Sequence, residues 1–181
     1  MKTRNLVIFQ KIGLMSRNDS FEVPNMVAID GSVTTSVYAA LTSYSGRYLL
    51  TNATSGAVYG TVSSSGDCCL WVGTNGEDNT PVAGTDYCSD NGLKSPCSTT
   101  DISPSSIAIS PTKPIWDSNT LKVASTITRT FTANVDLVIR EIGYIKSCEK
   151  QYLLERIVLD DAHKIEVTAG DKFSVSIVIE C

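Results

Sequence analysis

Apolar and polar residues alternate in short runs along most of this chain. The runs NLVIF, MVAI, SVYAALTSY, RYLLT, AVYGTV, CLWVGT, SIAIS, LKVASTITRTFT, VDLVIREIGYI, LLERIVL, HKIEV and KFSVSIVI are separated by clusters of Gly, Asn, Asp, Ser and Pro. Period-two alternation between turn formers predicts many short strands. The fold class expected is therefore all-β, an antiparallel β-sandwich of jelly-roll or immunoglobulin-like type. In the last run Phe173, Val175, Ile177 and Ile179 share one face, and Ser174, Ser176, Val178 and Glu180 share the other. Burying those four apolar side chains stabilises by about 6 to 12 kcal/mol. Ordering the seven residues from Phe173 to Ile179 costs about 7 to 14 kcal/mol in backbone entropy. Such a strand must be held by neighbours, and an interior or well-covered place in a sheet is expected.

The same pattern sets the expected organisation. In LKVASTITRTFT, Leu121, Val123, Ile127 and Phe131 alternate with Lys122, Thr126, Thr128, Thr130 and Thr132, so a threonine face should point outward. LLERIVL reads as strand, a hairpin is expected around a turn at Asn52 to Gly56, and Gly170 falls where a tight turn needs positive φ. Residues 1–22 read as an N-terminal arm and 23–181 as a single sandwich domain. In the arm, Leu6, Val7, Ile8 and Phe9 form a candidate interface that would add to a neighbouring subunit's sheet edge. The run from Thr74 to Thr100, rich in Gly, Asn, Asp, Ser and Pro, predicts a long loop at 74–100 and the main surface for partner contact.

Composition narrows the function. With 181 residues, 42% hydrophobic and 19% charged, the chain can bury a real core and is not of the disordered class. The net charge is only −4, and no basic run or basic–aromatic interleaving is present to follow a phosphate backbone, so nucleic acid is not expected as a partner. The apolar start LVIF is cut by Gln10 and Lys11 before it reaches the length of a signal-peptide core, and no apolar stretch is long enough for a membrane helix. A soluble chain without a membrane partner is the expectation.

Candidate chemistry is sparse. His163, in DDAHK, lies in a polar turn with no nucleophile elbow beside it and reads as an exposed turn residue. The six cysteines, Cys68, Cys69, Cys88, Cys97, Cys148 and Cys181, lack C-x-x-C spacing, so no zinc site is assigned and small buried residues are expected. Cys88 and Cys97, both in the long loop, are the first candidates for a disulfide in an oxidising medium. The acidic pairs Glu77–Asp78 and Asp160–Asp161 read as loop residues, and DNTPVAGTDYCSDNG lacks EF-hand order, so neither a metal nor a cofactor is expected. Trp116 and Tyr87 are candidates for stacking on a ligand ring, whereas Trp71 reads as core. Arg129, Glu141 and Arg156 fall inside strand patterns, and a cross-strand pair of Glu141 with one of the arginines would fix register.

Several of these blocks, in order, carry a resemblance. Val72, Gly73 and Thr74 come first, then Asp86 and Tyr87, Arg129 and Phe131, and Glu141, Ile142 and Gly143. Leu154, Arg156, Val158 and Leu159 follow, and then Ala169, Gly170, Asp171 and Val175. This succession resembles a family of tailed-bacteriophage virion proteins, with Asn75, Tyr144 and Ile177 standing where that family usually has glycine, leucine and tyrosine. The resemblance implies a non-enzymatic β-sandwich in a tail, collar or head-surface position. Its partners would be other virion proteins and copies of itself, and its location the virion, assembled in the host cytoplasm. The alternative it leaves is a module binding a host receptor or a surface glycan.

Overall fold

The computed structural model describes residues 1–8, 26–34, 52–53, 58–61, 67–117, 122–147 and 150–180. Alternating runs become strands wherever one of their faces finds apolar cover. In chain order the strands are β1 (Met26–Val27), β2 (Val33–Thr34), β3 (Asn52–Ala53), β4 (Asp67–Gly73), β5 (Ile102–Asp117) and β6 (Lys122–Ala133). They continue as β7 (Leu137–Ile139), β8 (Glu141–Ser147), β9 (Gln151–Val158), β10 (Ile165–Val167) and β11 (Lys172–Glu180). A four-stranded sheet runs β3-β4-β8-β9 and a three-stranded sheet runs β11-β6-β5, while β1 with β2 and β10 with β7 form small antiparallel pairs. All pairings are antiparallel except β3 with β4. The chain is all-β, built as a sandwich of antiparallel sheets.

The two larger sheets share one core. Trp71 of β4 meets Phe131 of β6 edge-on, with ring centroids 5.8 Å apart, and Phe131 stacks on Phe173 of β11 at 5.4 Å. Ile127, Arg129 and Phe131 lie buried on one face of β6, opposite Ile177, Val175 and Phe173 of β11 in register. The other face carries the expected hydroxyls. Thr128 bonds Ser176 at 2.7 Å and Thr130 bonds Ser174 at 2.8 Å, tying the two strands on their solvent side. Gly170 has φ 96° in the turn that leads into β11, a conformation that a Cβ would strain.

Three expectations are corrected. The final strand is an edge strand: β11 pairs with β6 alone among the described residues, because alternation reports which face is covered and not how many flanks are. Asn52–Ala53, expected in a turn, is a strand parallel to β4, and residues 54–57 lie outside the described residues. The nearby turn is at Tyr59–Gly60, closed by Thr61 N donating to the Val58 carbonyl at 3.1 Å. Buried Gln151 clamps it, accepting from Gly60 N at 2.7 Å and donating to the Val58 and Thr61 carbonyls at 2.8 and 2.7 Å.

The third correction concerns the N-terminal arm. Residues 1–3 lie along the free edge of β9 in the same chain: Lys2 bridges Glu155 antiparallel, Arg156 N donates to the Met1 carbonyl, and Thr3 N donates to the Leu154 carbonyl at 2.8 Å. Buried Thr3 then caps a helical turn at 4–8 that carries Leu6 and Ile8 into the core, each 4% exposed, with Val7 half-buried. Leu6 and Ile8 are therefore spent inside their own domain and are not a free interface, while Phe9 lies outside the described residues.

Ile177 is buried opposite Ile127, whereas Ser176 next to it is exposed. Ile177→Ala should lower stability by about 2 to 5 kcal/mol, and Ser176→Ala by no more than about 1 kcal/mol. Urea unfolding midpoints of the two variants check this, and equal shifts would contradict the assigned faces.

Candidate functional site

The segment 74–100 is long but not structureless, because a single buried ion pair organises it. Glu141 opens β8 and Arg156 lies on β9, one step diagonal to it, since Gly143 is the residue opposite Arg156. Arg156 Nε donates to Glu141 Oε2 at 2.7 Å, and both side chains are fully inaccessible to solvent. This is the cross-strand pair anticipated from the sequence, realised with Arg156 and buried where an exposed pair would contribute little.

Both partners hold the loop with their remaining valences. Glu141 Oε1 accepts from Ser95 N at 2.7 Å and Oε2 from Lys94 N at 3.1 Å. Arg156 Nη1 donates to the Glu77 carbonyl at 2.9 Å, and Asp90 Oδ2 lies 3.8 Å from the same nitrogen. The ascending and descending limbs of the loop are thus fixed to the two halves of one ion pair. Backbone bonds complete the anchor: Thr74 N donates to the Ser95 carbonyl at 2.9 Å, and Cys97 N to the Val72 carbonyl at 3.0 Å.

Glycine is required twice under this lid. A Cβ on Gly73 would stand 2.5 Å from Glu141 Oε1 and against the Ser95 carbonyl, and one on Gly143 would stand 2.9 Å from Leu93 Cδ2. The glycines at these two places let the loop backbone and Leu93 descend onto the sheet. Tyr59 adds a clamp from the side, its hydroxyl accepting from Leu93 N at 2.8 Å; burial pushes its pKa up to about 12.

A second buried cation joins the sheets. Arg129 of β6 is fully buried and donates from Nη1 to the Leu70 carbonyl of β4 at 3.1 Å, with its guanidinium 5.1 Å from the Trp71 ring centroid and 5.4 Å from that of Phe131. Desolvation draws its pKa down, while the Cys69 side chain, hydrogen-bonded to it, acts in the opposite direction. Sequence reasoning singled out Arg129 but not this use, because a cation between aromatic rings leaves the same period-two pattern as any core residue.

The other sequence candidates fall apart from this centre. Cys88 and Cys97 are free, buried thiols, in line with the reading of small buried residues and without the alternative disulfide. Different strands hold them: Cys88 N donates to the Lys2 carbonyl at 2.9 Å, whereas Cys97 is tied to β4 and accepts from Trp71 Nε1 at 2.8 Å. Burial raises both thiol pKa values, that of Cys97 to about 11 with further help from Asp101 and Glu141. Tyr87 is half-buried, its carbonyl accepting from Val82 N at 3.1 Å in the 81–88 turn. Trp116 stands opposite Val123 in register, and its side chain lies outside the described residues, as do Cys148 and Cys181. His163 is exposed in its turn beside Asp160, and Asp161 pairs with Arg140 at 2.7 Å, which draws that carboxyl below its ordinary range. Glu77 pairs with Lys94 at 3.2 Å within the loop.

No protein-family model, no curated protein and no solved structure matches this chain.

Glu141→Gln removes the nearer counter-charge of buried Arg156, leaving only Asp90 at 3.8 Å, and should cost about 3 to 5 kcal/mol. Because the loop backbone at Lys94 and Ser95 loses its carboxylate, tryptic cleavage after Lys94 should accelerate in the folded variant. Unchanged cleavage would show that the pair does not hold the loop. A separate measurement addresses the thiols. Peptide mapping after alkylation should find Cys88 and Cys97 unmodified in the native protein and fully modified in denaturant without reductant, whereas protection in denaturant would restore the disulfide.

Proposed function

We propose that this chain is a non-enzymatic structural component of a bacteriophage virion, in a tail, collar or head-surface position, working through contacts with other virion proteins and with copies of itself. One observation carries the reading. The residues through which the sequence resembles that virion family are the ones that interlock: Gly73 makes room for Glu141, Glu141 pairs with Arg156, and the pair holds the loop. Side chains with no solvent exposure touch no substrate, so their chemistry is spent on shape. What they shape is a rigid lid of 74–100 whose outward residues, among them Glu77, Asp78, Thr80, Ala83 and Asp86, are exposed. A loop held to one path on an all-β core gives every copy the same outer surface to offer a neighbour, with the ordering cost already met.

Proteomic quantification of gradient-purified particles from an infected culture tests the reading. The chain is expected in stoichiometric amount, in many copies per particle. Its absence from purified particles, with the protein present in the lysate, would overturn the proposal.

A further inference from the structure

The strands at the borders of the two sheets are treated unequally. The free edge of β9 is covered by residues 1–3 of the same chain. The outer strand β5 carries Pro104, Pro111 and Pro114, none of which offers an N–H, and its register against β6 breaks between Pro104 and Ser106 and again between Ser110 and Ile115. Prolines and bulges of this kind blunt an edge against pairing. β11 has neither device, and among the described residues β6 alone pairs with it. It keeps an unbroken register with β6 from Lys172 to Glu180 and contains no proline. Its only charged residues are the two at its ends, and Val178 on its outer face is 56% exposed.

We propose that β11 is a self-pairing edge: two copies of this chain join antiparallel along β11, about a two-fold axis at Ser176, to make one continuous sheet. Charge complementarity selects the occupant and the register. Centred on Ser176, the pairing sets Lys172 of each copy against Glu180 of the other, Phe173 against Ile179, Ser174 against Val178, and Val175 against Ile177. Opposite residues then belong to the same face, so each core face continues into the next and the hydroxyl faces join likewise. Moving the centre to Val175 or Ile177 leaves Lys172 without Glu180. The contact is isologous and closes as a dimer, so it does not propagate into fibres. It goes beyond the particle reading above, because an edge pairs in the isolated chain and stands or fails without the virion.

Sedimentation velocity of the full chain over rising concentration, with charge-swapped variants, is the test. A reversible dimer is expected. Lys172→Glu alone and Glu180→Lys alone each place like charges at both ends and should weaken self-association about tenfold. Lys172→Glu with Glu180→Lys in one chain should restore it, and the two single variants mixed should pair with each other in preference to themselves. A chain that stays monomeric at every concentration overturns the proposal, as does self-association that none of the swaps changes. If a single variant fails to fold, hydrogen exchange of the unsubstituted chain decides. β11 amides facing away from β6 gain protection as concentration rises under the proposal, and equal exchange at low and high concentration rejects it.

Discussion

The structure depends on one ion pair that sees no water. Taking Glu141 and Arg156 out of solvent is costly, and their mutual attraction offsets that cost with the help of backbone donors to both Glu141 oxygens and a backbone acceptor for Arg156 Nη1, while Arg156 Nη2 stays buried without a hydrogen bond. Those donors and acceptors come from the loop. The loop is therefore not laid over a finished site. It completes the desolvation of the pair, and the pair in turn gives a Gly-, Asn- and Ser-rich segment a fixed path that its own side chains are too small and polar to specify. Removing either side would leave the other in a worse state than water.

The same logic places the second buried arginine. Arg129 crosses between the sheets and ends over Trp71 and Phe131, with a backbone carbonyl of the facing sheet as acceptor. Aromatic faces and a carbonyl replace part of its hydration, and desolvation is the largest influence on its pKa. One cation thus ties sheet to sheet and the other ties sheet to loop. A core of aliphatic residues alone would bury as much area but would not distinguish one sheet alignment from its neighbour; directed bonds from Arg129 and Arg156 do.

Much of this fold was legible in the sequence, and the boundary of legibility has a physical cause. Period-two alternation identified β6, β9 and β11 and the faces they bury, because burial of a face is a property of each strand by itself. It anticipated that β11 is well covered on one face but did not tell whether both flanks are paired, since the flanks of a strand are bonded through backbone groups that every residue possesses. Glu141 and Arg156 stood out because charges inside strand patterns need partners, yet the choice between Arg156 and Arg129 depends on sheet order, which alternation does not encode. Leu6 and Ile8 were read as part of an arm that reaches a neighbouring subunit, which would then supply their cover. Whether that cover lies in their own chain or another is decided by Thr3 and Asn5, whose side chains bond Leu153 and Val27 carbonyls across the domain and look in sequence like ordinary polar residues. The alternative of a Cys88–Cys97 disulfide is not realised, for a related reason. Proximity in sequence within the loop says little once each limb of the loop is bonded to a different strand.

Edges then become the informative part of the sandwich. In a small β-domain the faces are fixed by hydrophobic burial, and the remaining freedom lies in unpaired backbone at the borders. Among the described residues, one border is covered by the first residues of the chain, another is interrupted by prolines and two register shifts, and a third shows the two residues of β3. Three different solutions to one problem make the fourth border, nine regular residues of β11, stand apart. Its polar outer face keeps it soluble beside water, since Ser174 and Ser176 bond to threonines of β6. Those bonds leave the backbone of the open flank untouched. A strand held this firmly on one side presents the other in a fixed, extended conformation, so a second strand meeting it would find the entropy of ordering already removed on one partner.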